Sequence, residues 1–108
     1  MASIFTKALF FETCPTIETR EKFKPKWTLK EKDHTYQGMT YISMKKVFIE
    51  MEDVSEYEFA MSVLGSYPHW EHLTTRDWFK PHLEQWRKEL NLKLKARAMK
   101  AIIKSATT

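Results

Sequence analysis

Two glycines in 108 residues leave no material for a Gly-rich phosphate loop and argue against an all-β fold, whose tight turns depend on that residue. A single cysteine, Cys14, excludes an internal disulfide and any cysteine-built zinc cluster, and it suits a reducing, intracellular setting. Long apolar runs are missing too: Ala8–Phe11 is four residues, closed by Lys7 and Glu12, with no signal-peptide pattern around it. A cytosolic chain without a membrane partner is therefore expected. No Walker, GxSxG, HExxH or Rossmann pattern occurs. His69 and His72 stand three apart with Glu71 between them, and only His82 and Glu84 could add ligands, so these histidines read as packing or surface residues. The carboxylates Glu50, Glu52, Asp53, Glu56 and Glu58 fall at predicted helix ends, where caps and helix dipoles account for them. The expectation is a non-enzyme with no metal site and no cofactor.

What is present is enough for a core: 43% of the residues are apolar and 14% of the chain is aromatic, in the length of one domain. The net charge of +4 conceals an asymmetry. Arg20–Lys32 holds six basic residues against Glu21 and Glu31, and Arg87–Lys104 holds seven against Glu89. Val47–Glu84 reverses the balance, with eight acids against Arg76 and Lys80. Two basic flanks around an acidic middle can engage phosphates at the ends, or can simply be solvated faces.

Hydrophobic spacing predicts a mainly α fold: a small helix-turn-helix-like domain with a short β-hairpin and a long C-terminal helix. Three regions are expected. Residues 1–32 form a basic, partly extended N-terminal arm, residues 33–80 the hairpin and helix-turn-helix-like domain, and residues 81–108 the long helix. In the arm, Ile4, Phe5, Leu9, Phe10 and Phe11 make an apolar patch that must fold back on the domain or dock on another chain. Arg20–Lys32 interleaves cations with Phe23 and Trp27, which suits either a nucleic-acid-facing arm or an extended linker pinned by its aromatics. His34–Ser43 reads as a hairpin about Gln37-Gly38. Ser43 then caps a helix whose Met44, Val47, Phe48 and Met51 share one face.

Ser55 with Glu58 predicts a capping box for the next helix, in which Phe59, Ala60, Val63 and Leu64 face inward. Gly65 ends it in the left-handed conformation, and Ser66 with Pro68 opens a shorter helix through Leu73. This is a helix-turn-helix layout or an αα-corner. Pro81 sits at the start of the last helix, where Phe79, Leu83, Trp86 and Leu90 form a heptad-like seam. Phe48, Phe59, Leu64, Trp70, Trp78, Leu83 and Trp86 are the expected core. Beyond Leu90, the residues Leu92, Leu94, Met99, Ile102 and Ile103 stay apolar and call for another protein surface, self-association being the simplest. With Phe10 and Phe11 they are the candidate oligomer or partner interface.

The pieces Glu58–Leu73, Trp78–Ile102 and the upstream Tyr41–Asp53 resemble the N-terminal part of phage small terminase subunits. There, a helix-turn-helix unit leads through a short connector into a long charged helix. The resemblance covers Tyr41–Ile103. It implies a ring-forming, non-catalytic subunit that recognises viral DNA and directs the ATP-driven large terminase in the cytoplasm of an infected bacterial host. Two departures stand out. The helix after Gly65 carries no Arg or Lys for base reading, and the chain stops soon after the long helix, as a shortened, satellite-type relative would. The expected partners are double-stranded DNA, through Lys22, Lys24, Lys26, Lys93, Lys95, Arg97 and Lys100, a large terminase, and further copies of the chain. A small adaptor or inhibitor of the packaging machinery and a helix-turn-helix transcription factor are the alternatives.

Overall fold

The computed structural model describes residues 6–107; Ile4 and Phe5 of the N-terminal patch lie outside them. Two 3₁₀ turns (Thr6–Ala8 and Phe11–Thr13) precede α1 (Ile17–Phe23), β1 (Trp27–Thr28), β2 (His34–Tyr36) and β3 (Met39–Ser43). Then come α2 (Met44–Met51), α3 (Tyr57–Leu64), α4 (Tyr67–Thr74) and α5 (Lys80–Thr107). The fold is mainly α with a small sheet, as the spacing predicts.

The hairpin forms where expected, with Tyr36 opposite Met39 and His34 opposite Tyr41. Gln37 (φ 49°) and Gly38 (φ 80°) both take positive φ, the requirement of the turn whose twist matches paired strands. Beyond the hairpin, β1 pairs in parallel with the other side of β3, placing β3 at the centre. The Trp27 amide donates to the Leu9 carbonyl at 3.1 Å, and Phe10 bridges Trp27, so the N-terminal segment extends the sheet. The expected arm is thus part of the domain. Phe10 is fully buried, stacked 5.8 Å from Phe79, which corrects its assignment to a partner interface.

A helix, α1, forms within the arm expected to be partly extended. Thr16 and Thr19 cap it reciprocally: the Thr19 amide donates to Thr16 Oγ1 at 3.2 Å and the Thr16 amide to Thr19 Oγ1 at 3.1 Å. Lys24 ends it in the left-handed conformation, and Pro25 after it cannot continue a helix. The chain between β1 and β2 is tied by side chains. Glu12 accepts from Thr28 Oγ1 at 2.5 Å and from the Leu29 amide at 2.8 Å, while Ser43 Oγ donates to the Lys30 carbonyl at 2.7 Å.

Aromatic rings from α2, α3, α4 and α5 interlock at the centre. Phe59 meets Trp70 at 5.0 Å, Phe48 meets Phe59 at 5.1 Å and Phe79 meets Trp86 at 5.3 Å, all edge-to-face, the arrangement that aromatic quadrupoles favour. Phe79, Leu83, Trp86 and Leu90 are all buried, so the predicted seam is the floor of this core. Leu64 and Trp78, expected inside, are half-buried and pack against its edge.

Gly65 ends α3 at φ 71°, and Ser66 caps α4, accepting from the His69 amide at 3.4 Å. The start of α3 differs from the capping box. Asp53 is the cap, accepting from the Phe59 amide at 3.0 Å and from Ser55, while Glu56 occupies the N-cap in a left-handed conformation (φ 66°). Its carboxylate turns inward instead. Glu56 receives Arg87 Nε and Nη2, each at 2.7 Å, and Trp70 Nε1 at 3.0 Å, locking α3, α4 and α5 together. Those bonds with Glu56 raise the Arg87 pKa above its ordinary value. A second tie is Lys45, nearly buried on α2, which bridges Glu31 at 2.9 Å and Glu89 at 2.8 Å. Burial alone would lower its pKa, but the two carboxylates outweigh that and the net shift is upward.

Candidate nucleic-acid interface

Between α1 and the hairpin lies an open cleft of about 620 Å³, whose walls include Arg20, Lys24, Lys26, Tyr36, Gln37, Met39 and Tyr41. The local chain explains this convergence. The left-handed turn at Lys24 and the buried Pro25 reverse the backbone from α1 into β1, so cations on either side of the turn reach one opening. The Arg20 guanidinium is fixed there: it lies 5.2 Å over the Tyr36 ring and 5.3 Å over the Phe11 ring, and donates to the Cys14 carbonyl at 3.1 Å. Phe11 itself is wedged between His34, Tyr36 and Tyr41, so this predicted partner-interface residue supports the hairpin from below. Burial pushes the Cys14 thiol pKa up, which keeps the thiol protonated beneath α1.

Along the hairpin, Thr35, Tyr36, Gln37, Gly38, Met39 and Thr40 are all exposed. The result is a two-stranded ribbon with polar and aromatic side chains outward and a cationic rim beside its tip. Tyr36 and Met39 remain 41% and 59% exposed, a large apolar surface to leave in water next to cations.

The predicted phosphate contacts divide between this rim and α5. Lys24 and Lys26 share the cleft, and Lys22, its ammonium 5.3 Å from the Phe23 ring, is exposed on α1. Lys95 and Lys100 are exposed on α5. Lys93 and Arg97 are engaged elsewhere: both close on Glu52 at the end of α2, Lys93 at 3.0 Å with a further bond to the Ile49 carbonyl at 3.2 Å. They clamp α5 to α2, so these two expected phosphate contacts already hold an intramolecular ion pair with Glu52. Hydrogen bonds from Arg97, then Lys93, hold the Glu52 pKa down at about 2.

The apolar set on α5 also divides. Leu94 turns toward the domain and packs against its core. Leu92, Met99, Ile102 and Ile103 are 57%, 62%, 67% and 60% exposed.

The helix pair α3–α4 shows the opposite character. Its outward residues include Glu58, His69 and Glu71, and α4 contains no Lys or Arg. His72 is held by the Arg76 guanidinium, and among the described residues no group of three His, Cys, Asp or Glu side chains is placed to hold a metal ion. No helix of the described residues is long and apolar enough to cross a membrane. Arg20, Tyr36, Gln37 and Tyr41 escape sequence reasoning as site residues because α1 is not visible there. The Thr16/Thr19 pair is the signal that could have revealed it. Compared with known proteins, the chain matches no family model, no curated protein and no solved structure.

Proposed function

We propose that the chain is a non-catalytic DNA-contacting accessory whose reading element is the β2–β3 hairpin, with α1 and the following turn as its phosphate clamp. The observation that carries this reading is the convergence of Arg20, Lys24 and Lys26 on one opening beside an exposed two-stranded ribbon. A ribbon of this kind is one of the two elements that the major groove of B-DNA admits. Gln37 at its tip has the donor–acceptor pair that reads adenine, and it holds a left-handed conformation that Gly or Asn would take with less strain. Lysines beside the groove neutralise phosphates and set the register. The resemblance to small terminase subunits adds the setting: viral genome packaging in an infected bacterium, with the accessory directing a large terminase. The test is fluorescence anisotropy of a labelled duplex over a salt series. Affinity should fall steeply as salt rises, because each neutralised phosphate releases condensed counterions. No binding to any duplex at low salt would overturn the reading and favour the adaptor.

A further inference from the structure

The distal part of α5 carries a seam of its own. Leu92, Ala96, Met99 and Ile103 step by four, three and four, the spacing of inward positions in a coiled coil. Leu94, lying off this seam, is the residue that packs on the domain, so the seam faces away from it. Its large members are all more than half exposed. Its flanks are charged in one sense only. Lys93, Lys95 and Lys100 occupy three of the four positions bordering the seam, and Asn91–Lys104 contains five cations and no acid.

That pattern selects the occupant. Two parallel copies of the seam would set Lys95 of one against Lys100 of the other, twice, and the antiparallel pairing also aligns cation with cation. Self-pairing through this helix, expected from apolar content alone, is opposed by its flanks. The acidic face of α3 in a second copy is a poor substitute: an eight-residue helix with only Tyr57 and Met61 outward as large apolar groups, one turn apart.

We infer that the distal seam of α5 docks an amphipathic helix of another protein, with apolar residues facing the seam and carboxylates along both of its edges. The docking is independent of DNA at the α1–hairpin cleft. Lys95 and Lys100 would pair with the partner's acids, while Lys93, tied to Glu52, holds the helix to the domain.

The test uses the full chain and two synthetic peptides of about three heptads each, with Leu at the inward positions and either Glu or Lys along the edges. The Glu peptide should bind at least about tenfold tighter than its Lys twin. Lys95→Glu with Lys100→Glu should reverse that order, and Met99→Ser with Ile103→Ser should abolish binding without shifting the melting temperature. Equal affinity for the two peptides, or no reversal, would overturn the inference. So would light scattering showing an assembly that Met99→Ser and Ile103→Ser dissolve, which would make a second copy the occupant. Displacement of the Glu peptide by duplex DNA through Lys95 and Lys100 would overturn it as well, making the helix a phosphate-binding element.

Discussion

The α3–α4 pair and the α1–hairpin face divide layout from chemistry. The helix pair has the outline of a helix-turn-helix or αα-corner, a Gly65 turn between two eight-residue helices, yet its outer side is acidic and α4 has no cation. The α1–hairpin face has no such familiar layout, and it gathers the lysines, the guanidinium and the exposed rings. A motif's outline says how helices pack; the charge and exposure of the side chains say what they can touch. Here the helix pair is the structural centre, and the hairpin face is the contact surface we propose.

Breaking the helix pair should therefore damage stability and spare DNA contact. Trp70, 1% exposed among Phe48, Phe59 and Phe79, is the largest lever: Trp70→Ala should cost about 3–5 kcal/mol in chemical denaturation. Below the new melting temperature, duplex affinity should stay near that of the parent. Next is Glu56→Gln, expected to cost about 1–3 kcal/mol, because a buried carboxylate loses its charge-assisted bonds while half-exposed Arg87 regains water. A change within a few tenths of a kcal/mol would show that the Glu56–Arg87–Trp70 tie does not join the three helices.

The hairpin face should respond the other way. Gln37→Gly relieves a left-handed non-glycine residue and should stabilise the fold by about 0.5–1 kcal/mol while weakening duplex binding. Equal or tighter binding would remove Gln37 from the reading element.

The Glu52 clamp gives a pH signature outside both surfaces. Its pKa falls from 4.5 to about 2 on folding, so its contribution is complete above pH 4.5 and is lost as pH falls toward 2. Amide-exchange protection factors along residues 93–104 of α5, which discount the intrinsic pH dependence of exchange, should drop as pH falls through that window, and Glu52→Gln should remove that drop. The same window in both proteins would assign it to another carboxylate.

Much of the helical core was legible. Phe79, Leu83, Trp86 and Leu90 repeat at a helical period, interrupted only by Pro81 in the first turn where a helix tolerates it, and Gly65 marks its turn because few residues tolerate its φ. The contact face was largely hidden. α1 has seven residues, none buried, and so no periodic stripe to detect. β1 has two residues, and its pairing with β3 is set by the Ile42 amide donating to the Lys26 carbonyl across a loop. Ser55 looked like the cap of α3 because spacing alone cannot show that Asp53 reaches the Phe59 amide first. Glu56 and Arg87 are 31 residues apart, and only the folded chain joins them.

One paired salt titration of duplex binding tests DNA contact by the α1–hairpin face most directly. Lys22→Gln, Lys24→Gln and Lys26→Gln together should lower the salt slope by about one for each phosphate contact removed, whichever duplex is used. Glu58→Gln with Glu71→Gln, on the helix pair, should leave that slope unchanged. A slope indifferent to the three lysines, or one that shifts with the α3–α4 acids instead, would contradict the assignment of DNA contact to the α1–hairpin face.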